Sequence, residues 1–262
     1  MRWARIQLNG STSYAVVEGD TVIPVRGSPF EAWDRSTRKL KLDDVKLLVP
    51  VIPPTFYAAG MNYPGHVREV AEKIGQPPNL PTRPEIGYRA ANALIADGET
   101  IVIPADATEH VQYEGELVVV IGRKCKNLTR DNALSAVLGY TIGNDVSERT
   151  WQKADRTMWR SKNTDTFKPM GPWIETDVKL DDLVTRIRLN GQQKIEFPTN
   201  RMIFGVIDYL VAMTTRLTLY PGDVVWMGTE GATANIRHGD RIEIEITGIG
   251  TLSNRVAREG VL

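Results

Sequence analysis

Residues 113–122, Tyr-Glu-Gly-Glu-Leu-Val-Val-Val-Ile-Gly, set the architecture of the chain and contain its first candidate site. Residues 117–121 form a continuous apolar run, which is typical of a strand that is buried on both faces. Glu114 and Glu116 precede this run at a spacing of two, so both carboxylates point to the same face, and Gly115 leaves room on the other. The stretch therefore predicts a core strand that begins with two adjacent carboxylates.

On both sides of this run in the sequence, most of the predicted elements are strands. Residues 14–19 and 21–25 flank a Gly-Asp pair as in a hairpin, and residues 241–248 alternate strictly, as in a half-buried strand. Residues 131–140 are interpreted as a helix that leads into the next strand. This order, strand after strand with few helices, favours an α+β fold that is mostly β over a doubly wound sheet.

Three prolines between residues 48 and 54 indicate a domain boundary. A chain of 262 residues can form one large domain with a small appendage. We therefore predict a small β-rich N-terminal domain over residues 1–52 and a catalytic domain over residues 53–262.

Composition excludes several classes of protein. Lys plus Arg and Asp plus Glu both number 32, so the chain has no basic excess for nucleic-acid binding. Neither a signal peptide nor an apolar stretch of membrane-spanning length is found, which predicts a cytoplasmic protein without membrane contact. Cys125 is the only cysteine and has no evident base partner, so an internal disulfide, a cysteine-built zinc site and a cysteine nucleophile are not expected.

Residues 64–75 fit an amphipathic helix that begins at a proline and ends at a glycine. The other side of this helix carries His66 and Glu69, three residues apart, so the carboxylate can orient the imidazole and raise its basicity. Such a pair can take a proton from water. The alternative is an ordinary solvent-facing surface. Apolar positions at helical spacing are Val67, Val70, Ala71 and Ile74.

Glu114 and Glu116 would repel each other at a buried strand end unless a cation neutralises them. Asp145 is a plausible third oxygen ligand. A set of carboxylates without cysteine suits Mg²⁺, Mn²⁺ or Ca²⁺ rather than zinc or copper. The alternative interpretation is that the two glutamates are solvated residues before a core strand.

Arg149 and Gln152 follow Asp145 by four and seven residues. If this segment is helical, the three side chains share one face and present a cation and an amide near the metal, where they would suit a carboxylate substrate. The alternative is a surface helix with an internal Asp-Arg pair.

Seven groups of residues, in this order, resemble the fumarylacetoacetate hydrolase family and its acylpyruvate hydrolase branch from about residue 55 to the C-terminus. The groups are Asn62-Tyr63 with residues 66–69; residues 113–117; residues 144–147 with Arg149 and Gln152; Ser161-Lys162 with residues 165–167 and Gly171-Pro172; residues 202–204; residues 221–223; and Gly228-Thr229. Their number and order, rather than any single group, support the resemblance.

The resemblance implies a mixed β-sandwich roll, a homodimer, and Mg²⁺ or Mn²⁺ bound by Glu114, Glu116 and Asp145, with Ca²⁺ as a further candidate. It also implies that the helix with His66 and Glu69 closes as a lid. Contacts to the substrate or to metal-bound water are implied for Arg149, Gln152, Lys162 and Thr229. Thr166 is implied to lie near a second ion.

Two segments depart from the family pattern. Residues 88–92 stand where relatives often have a Lys-Pro-Ser type segment before a strand. Glu230 follows Gly228-Thr229, where relatives commonly place proline. A carboxylate there would change the charge of the pocket, so substrate identity does not transfer from relatives.

The function expected from this resemblance is hydrolytic cleavage of a carbon-carbon bond in an acylpyruvate or similar β-diketo acid. His66, oriented by Glu69, would deprotonate water, and Lys162 and Arg149 would stabilise negative charge. One alternative is a decarboxylase, hydratase or keto-enol isomerase acting on a 2-oxo acid in the catabolism of aromatic compounds, because fold does not separate these reactions. A second alternative is a non-catalytic metal-binding protein.

Overall fold

The computed structural model describes residues 1–8 and 10–261, and within them the chain forms twenty strands and four α-helices. The helices are α1 (Pro64–Lys73), α2 (Arg149–Gln152), α3 (Trp159–Asn163) and α4 (Val206–Thr214). The strands are β1 (Arg2–Leu8), β2 (Ser11–Glu18), β3 (Thr21–Gly27), β4 (Trp33–Arg35), β5 (Leu40–Lys41), β6 (Lys46–Leu48), β7 (Phe56–Ala59), β8 (Ile86–Tyr88), β9 (Leu94–Ile95), β10 (Thr100–Ile103), β11 (Val111–Gln112), β12 (Gly115–Ile121), β13 (Val137–Asn144), β14 (Ser147–Glu148), β15 (Lys168–Glu175), β16 (Val184–Leu189), β17 (Gln192–Pro198), β18 (Val224–Trp226), β19 (Arg241–Ile246) and β20 (Gly250–Arg258).

Two mixed sheets form the body of the molecule. The larger has 13 strands, with the order β4-β3-β2-β1-β15-β13-β12-β18-β7-β8 and with β5, β6 and β9 attached beside this path. The smaller has 5 strands in the order β10-β20-β19-β16-β17, and β11 pairs with β14 in a separate ribbon. The predicted α+β, mostly β fold is confirmed.

β12 is buried over its whole length because it packs on both faces. Leu117 and Val119 belong to the core cluster that also contains Ile187 and Ile244 of the smaller sheet. Val118 and its neighbours on the opposite face belong to a second cluster. The continuous apolar run in the sequence of this strand is therefore explained by two hydrophobic cores, one on each face.

The N-terminal residues continue the larger sheet, because β1 pairs antiparallel with β15. The predicted hairpin is present as β2 and β3. The division of the chain at residue 52 stays a prediction. None of the helices in the described part of the chain is long and apolar enough to cross a membrane.

One local prediction was wrong, and one predicted helix buries fewer of its apolar residues than their spacing indicates. The helix expected over residues 131–140 is a single 3₁₀ turn, Ala133–Ala136, because the residues from Val137 onward pair with β12 as strand β13. Helix α1 lies where the pattern predicts it, but of its apolar positions only Val67 and Ala71 are buried. Ile74 is 61% exposed.

Candidate functional site

Three carboxylates meet where β12 and β13 lie side by side. The antiparallel register pairs Gly115 with Asn144, which sets the next residues, Glu114 and Asp145, opposite each other. The Asp145 backbone N–H donates to the Glu114 carbonyl at 2.9 Å. Carboxylate oxygens of Glu114, Glu116 and Asp145 all lie within 4.8 Å of one another, and all three residues are buried. We call these three residues the carboxylate centre.

Gly115 allows this arrangement because its other face packs on the smaller sheet. A Cβ at Gly115 would lie 2.8 Å from Cδ1 of Ile187 and 3.0 Å from Cγ2 of Ile244. Contacts that short require the sheets to move apart. Glycine therefore lets the strand carry two carboxylates on one face while the opposite face stays in contact with the second sheet.

Cationic side chains surround Asp145. Its carboxylate receives Lys162 Nζ at 2.7 Å, Lys168 Nζ at 2.7 Å and the Arg89 guanidinium at 2.8 Å. Burial raises the pKa of Asp145, but these three charges outweigh it and hold the pKa well below its usual value. Asp145 is therefore ionised. Burial also lowers the pKa of Lys168 to about 8, although Asp145 opposes this shift.

Glu114 also has cationic partners. Lys162 Nζ lies 2.7 Å from its Oε2, and Nη2 of Arg149 lies 2.6 Å from its Oε1. Burial raises the pKa of Glu114, but Lys162 and Arg149 lower it to about 2. Lys162 thus bridges Glu114 and Asp145 and fixes the spacing of two members of the carboxylate centre.

Glu116 differs from its two neighbours. Its Oε2 accepts a hydrogen bond from the Gly228 backbone N–H at 2.8 Å, but among the described residues no lysine or arginine forms an ion pair with it. Burial, with the nearby charges of Asp145 and Glu114, raises the pKa of Glu116 to about 8. A buried carboxylate in this position is relieved by an added cation. Three converging carboxylates, one of them short of positive charge, fit a hard divalent ion.

Helix α1 carries His66 and Glu69, which we call the dyad. Nδ1 of His66 lies 3.5 Å from Oε2 of Glu69, and Lys73 Nζ lies 2.5 Å from the other oxygen. The hydrogen bond from His66 is the main cause that lowers the pKa of Glu69 to about 2, with Lys73 contributing. Glu69 is therefore a carboxylate that can orient the imidazole.

Asn62 and Tyr63 anchor the chain just before α1. The Asn62 amide donates to the carbonyls of Phe204 and Met227, and the Asn62 side-chain oxygen accepts from the Phe204 backbone N–H. The Tyr63 hydroxyl donates to the Thr199 carbonyl at 2.6 Å. These bonds connect the start of the helix to β18 and to the segment before α4, and thereby orient the helix toward the carboxylate centre.

Two adjoining cavities connect the dyad with the carboxylate centre. The inner cavity, of about 100 Å³, is lined by all three members of the carboxylate centre and by Lys162 and Thr229. The outer cavity, of about 490 Å³, is lined by Glu69, Lys73 and Arg149. The residues that line both cavities are Met61, His66 and Gln152. His66 therefore stands at the boundary between a polar inner chamber and its entrance.

The structure brings together the nine residues to which the sequence assigned catalytic, substrate-binding or metal-binding roles, although not always for the expected reason. The helix α2 is a single turn that starts only at Arg149, so Asp145 lies outside it. Arg149 pairs with Glu114 and donates to Gln152 at 2.9 Å. The internal pair between Asp145 and Arg149 is thus not formed. The roles assigned to these residues stay predictions.

Thr166 lies apart from the carboxylate centre. Its hydroxyl accepts a hydrogen bond from the Val102 backbone N–H at 2.8 Å, and its φ is 70°. Thr166 does not line the inner cavity among the described residues. The expectation that it lies near a second ion has no support in this geometry, because the hydroxyl is engaged with strand β10.

Two residues of the site were missed in the sequence. Arg89 lies in residues 88–92, which depart from the family pattern, and precedes Asp145 by 56 residues. Lys168 is the first residue of β15. Lys168 is fully buried and also donates to the carbonyls of Val146 and Phe167. A lysine in the otherwise apolar run Phe167–Met170 was the signal available, since a buried lysine requires a carboxylate or several acceptors.

Similarity to known proteins agrees with this geometry. A family model described as fumarylacetoacetate (FAA) hydrolase C-terminal matches residues 55–257, and a model described as Rv2993c-like, N-terminal, matches residues 1–50. Protein Rv2993c of Mycobacterium tuberculosis (strain ATCC 25618 / H37Rv) is 37% identical over 270 residues, which cover 99% of each chain. The family resemblance inferred from the sequence is confirmed by these matches.

Several relatives are named for an enzyme activity, and two of them illustrate the range. A 2,4-didehydro-3-deoxy-L-rhamnonate hydrolase of Sphingomonas sp. (strain SKA58) is 36% identical over 212 residues, 76% of this chain and 72% of the relative. The crystal structure of 5-carboxymethyl-2-hydroxymuconate delta-isomerase from Mycobacterium smegmatis has a TM-score of 0.89 and 36% identity, and the match covers 99% of this chain and 100% of that chain. The chain belongs to the fumarylacetoacetate hydrolase family.

Proposed function

We propose that this protein is a metal-dependent hydrolase that cleaves a carbon-carbon bond in an acylpyruvate or a similar β-diketo acid. The observation that carries the proposal is the position of His66 at the boundary of the inner cavity, where it lines the same chamber as Glu114, Glu116 and Asp145. A base for water and a set of oxygen ligands thus share one space. Hydrolysis needs both.

The side chains divide the chemistry between them. His66, oriented by the Glu69 carboxylate 3.5 Å away, takes a proton from the attacking water. The hydroxide adds to the acyl carbonyl, and the bond to the methylene carbon breaks with its electron pair leaving in the enolate of pyruvate. The proton that His66 took from water returns to this carbon, so the products are a carboxylic acid and pyruvate. Lys162 lines the chamber as an ammonium donor and stabilises negative charge as it forms.

Charge favours an acidic substrate. Four cationic side chains contact two members of the carboxylate centre, Glu114 and Asp145, and these are Arg89, Arg149, Lys162 and Lys168. A divalent ion adds further positive charge, so the loaded chamber attracts an anion. Gln152 and Thr229, which line the chamber without formal charge, supply hydrogen-bonding groups for the oxo-acid end.

Glu114, Glu116 and Asp145 would hold the cation, and all-oxygen ligands favour Mg²⁺ or Mn²⁺, with Ca²⁺ as a further candidate. When bound, the ion supplies Lewis-acid stabilisation of an enolate oxygen. The homodimer, the place in aromatic-compound catabolism and the cytoplasmic location stay predictions. Sedimentation analysis of the purified chain tests the first of them.

Keto-enol isomerisation is the second candidate. The Mycobacterium smegmatis relative, which matches nearly the whole of this chain, is named an isomerase. An isomerase acting on a 2-oxo acid can use the same ligands and Lys162 without a base that activates water. The two candidates therefore differ in the part they assign to His66.

The deciding experiment incubates the purified protein with acylpyruvates and with enol forms of 2-oxo acids, each with Mg²⁺, with Mn²⁺ and with a chelator. A hydrolase releases pyruvate from acylpyruvates, and the chelator abolishes that release. Enol-to-keto conversion without pyruvate release would replace the hydrolase proposal by the isomerase. If the chelator lowers the melting temperature and neither substrate turns over, the protein binds metal without catalysis.

A further inference from the structure

Residues 228–231 form a loop that contacts both halves of the site. At one end the Gly228 backbone N–H donates to Oε2 of Glu116 at 2.8 Å. At the other end Gly231, with φ 115°, packs against the dyad: a Cβ there would lie 2.7 Å from Oε2 of Glu69 and 3.0 Å from Nδ1 of His66. Four consecutive residues thus span the distance from the carboxylate centre to the base.

Glu230 stands in this loop and faces the first turn of α1. A Cβ added to Gly65 would lie 2.0 Å from Oε1 of Glu230, so the carboxylate occupies the space beside the helix backbone. Burial raises the pKa of Glu230, and the charge of His66 and the Gly65 backbone N–H offset part of that rise. Oε2 of Glu230 is buried and has no hydrogen-bond partner within the part of the chain that is described.

Glu230 contacts the helix, not the substrate space. Among the described residues, neither cavity of the site is lined by Glu230, whereas Thr229 lines the inner one and Ala232 the outer one. A substitution at Glu230 therefore affects the substrate only through other residues. The first of these is His66, which lies on the helix turn that Glu230 contacts.

We propose that Glu230 is a positioning residue that holds the first turn of α1, and with it His66, against the loop that contacts Glu116. The inference rests on the proposed function, in which His66 takes a proton from water. It goes beyond that function because it assigns a role in the reaction to a residue outside the chamber.

The helix needs such a contact because its own stability is small. α1 has 10 residues, a length at which isolated helices are marginal in water, and only Val67 and Ala71 are buried. Its cap residue Tyr63 makes no side-chain hydrogen bond to the helix N-terminus. A carboxylate at that end accepts from a free backbone N–H and interacts favourably with the helix dipole. Glu230 supplies this carboxylate from another part of the chain.

Hydrogen exchange of α1 tests the position of the helix without any substrate. In Glu230→Ala we expect the amides of residues 65–73 to exchange about five- to tenfold faster, the effect of losing one helix cap, while the strands of the larger sheet are unchanged. Glu230→Gln keeps an oxygen for the Gly65 N–H and should restore most of the protection. Glu72→Ala is the matched control, because Glu72 lies on the same helix, is exposed and forms no ion pair within the described residues.

Gly65→Ala tests the same contact from the helix side. Alanine is a better helix former than glycine, so the substitution alone should slow exchange in α1. In this chain the new Cβ displaces the Glu230 carboxylate, and exchange should become faster instead. In Glu230→Ala/Gly65→Ala the collision is absent, so the second substitution should cause no further loss of protection.

Kinetics then test whether the helix position acts through His66. In Glu230→Ala the kcat for acylpyruvate cleavage should fall about five- to tenfold with little change in KM, because the substrate contacts remain. In His66→Ala/Glu230→Ala the kcat should equal that of His66→Ala.

Unchanged exchange in α1 for Glu230→Ala overturns the proposal, and so does an equal acceleration of exchange throughout the chain. An additive loss of kcat in the double variant also overturns it. If no oxo acid is cleaved by the wild type, the proposed function fails, and the exchange results still decide whether Glu230 holds the helix.

Discussion

The carboxylate centre and the dyad differ in how the chain brings their residues together. Glu114, Glu116 and Asp145 lie in or next to two paired strands and are buried, and cations from four further segments pair with Glu114 and Asp145. His66 and Glu69 lie one turn apart on a single short helix, with side chains 15% and 33% exposed. The first region depends on the pairing of the sheet, whereas the second depends on the placement of one helix.

This difference predicts that substitutions in the two regions have different effects. The carboxylate centre cannot rearrange without separating β12 from β13, so substitutions there should act on cation binding in an all-or-none way. The dyad can shift with α1 while the sheets stay intact, so substitutions there should lower rates and leave cation binding and folding in place. The following predictions test that contrast, from the largest expected effect to the smallest.

Glu116→Ala should abolish binding of Mn²⁺. The ion is expected to need about six oxygen ligands, and the loss of one of three carboxylates leaves too few charges to hold it. Calorimetric titration of the purified variant measures this, with Glu99→Ala as the control because Glu99 binds the Ala96 backbone N–H away from the centre. Undiminished affinity would remove Glu116 from the set of ligands.

His66→Ala should lower the rate of acylpyruvate cleavage by about two to four orders of magnitude, the usual contribution of a positioned general base. Its affinity for Mn²⁺ should stay at the wild-type value, since His66 is not part of the carboxylate centre, and the loss of its pair with Glu69 should cost at most about 1 kcal/mol of stability. Steady-state assays with saturating Mg²⁺ provide the test. Near-normal cleavage would contradict the dyad mechanism and would favour the isomerase.

Arg149→Met should raise KM for an acylpyruvate, because a lost charge-assisted hydrogen bond to a carboxylate costs about 1.5 to 3 kcal/mol. Cation affinity should not fall, since Arg149 now shares an oxygen of Glu114 at 2.6 Å and its removal frees that oxygen. The two measurements separate a substrate contact from a structural ion pair. A lower melting temperature without any change in KM would indicate a structural ion pair.

Glu69→Gln should have a small effect on stability, at most about 1 kcal/mol, as is usual for partly exposed ion pairs. The pKa of Glu69 is lowered from 4.5 to about 2 by His66 and Lys73, so its stabilisation is complete above about pH 4.5 and disappears as the pH falls toward 2. Melting temperatures of wild type and variant should therefore differ above that window and converge below it. Glu72→Gln, with no ion pair in the described part of α1, should show no such convergence.

Local patterns in the sequence predicted the elements of both regions, because alternation and helical spacing follow from neighbouring residues. The apolar run after Glu116 is β12, and the helix with His66 and Glu69 is α1. The helix expected over residues 131–140 failed for a tertiary reason: pairing with β12 extends the strand to Val137, and strand pairing overrides local propensity.

The cations around Asp145 could not be predicted in the same way. Arg89 and Lys168 reach this carboxylate from segments that are distant in the chain, and only the order of strands in the larger sheet brings them together. Spacing also gave Asp145 and Arg149 a shared helix face, whereas α2 begins only at Arg149. The three candidate ligands were predicted from residue types, but the counter-charges around them required the topology.

Gly115 couples the packing of the two sheets to the geometry of the carboxylate centre. The segment with two of the proposed ligands, Glu114 and Glu116, also packs against Ile187 and Ile244 of the smaller sheet. We expect that heating does not separate these candidate ligands before the sheets part, because their spacing is held by the contact between the two sheets. Loss of the cation and loss of the fold should therefore occur as one event in a calorimetric scan, whereas activity can disappear earlier, when α1 detaches.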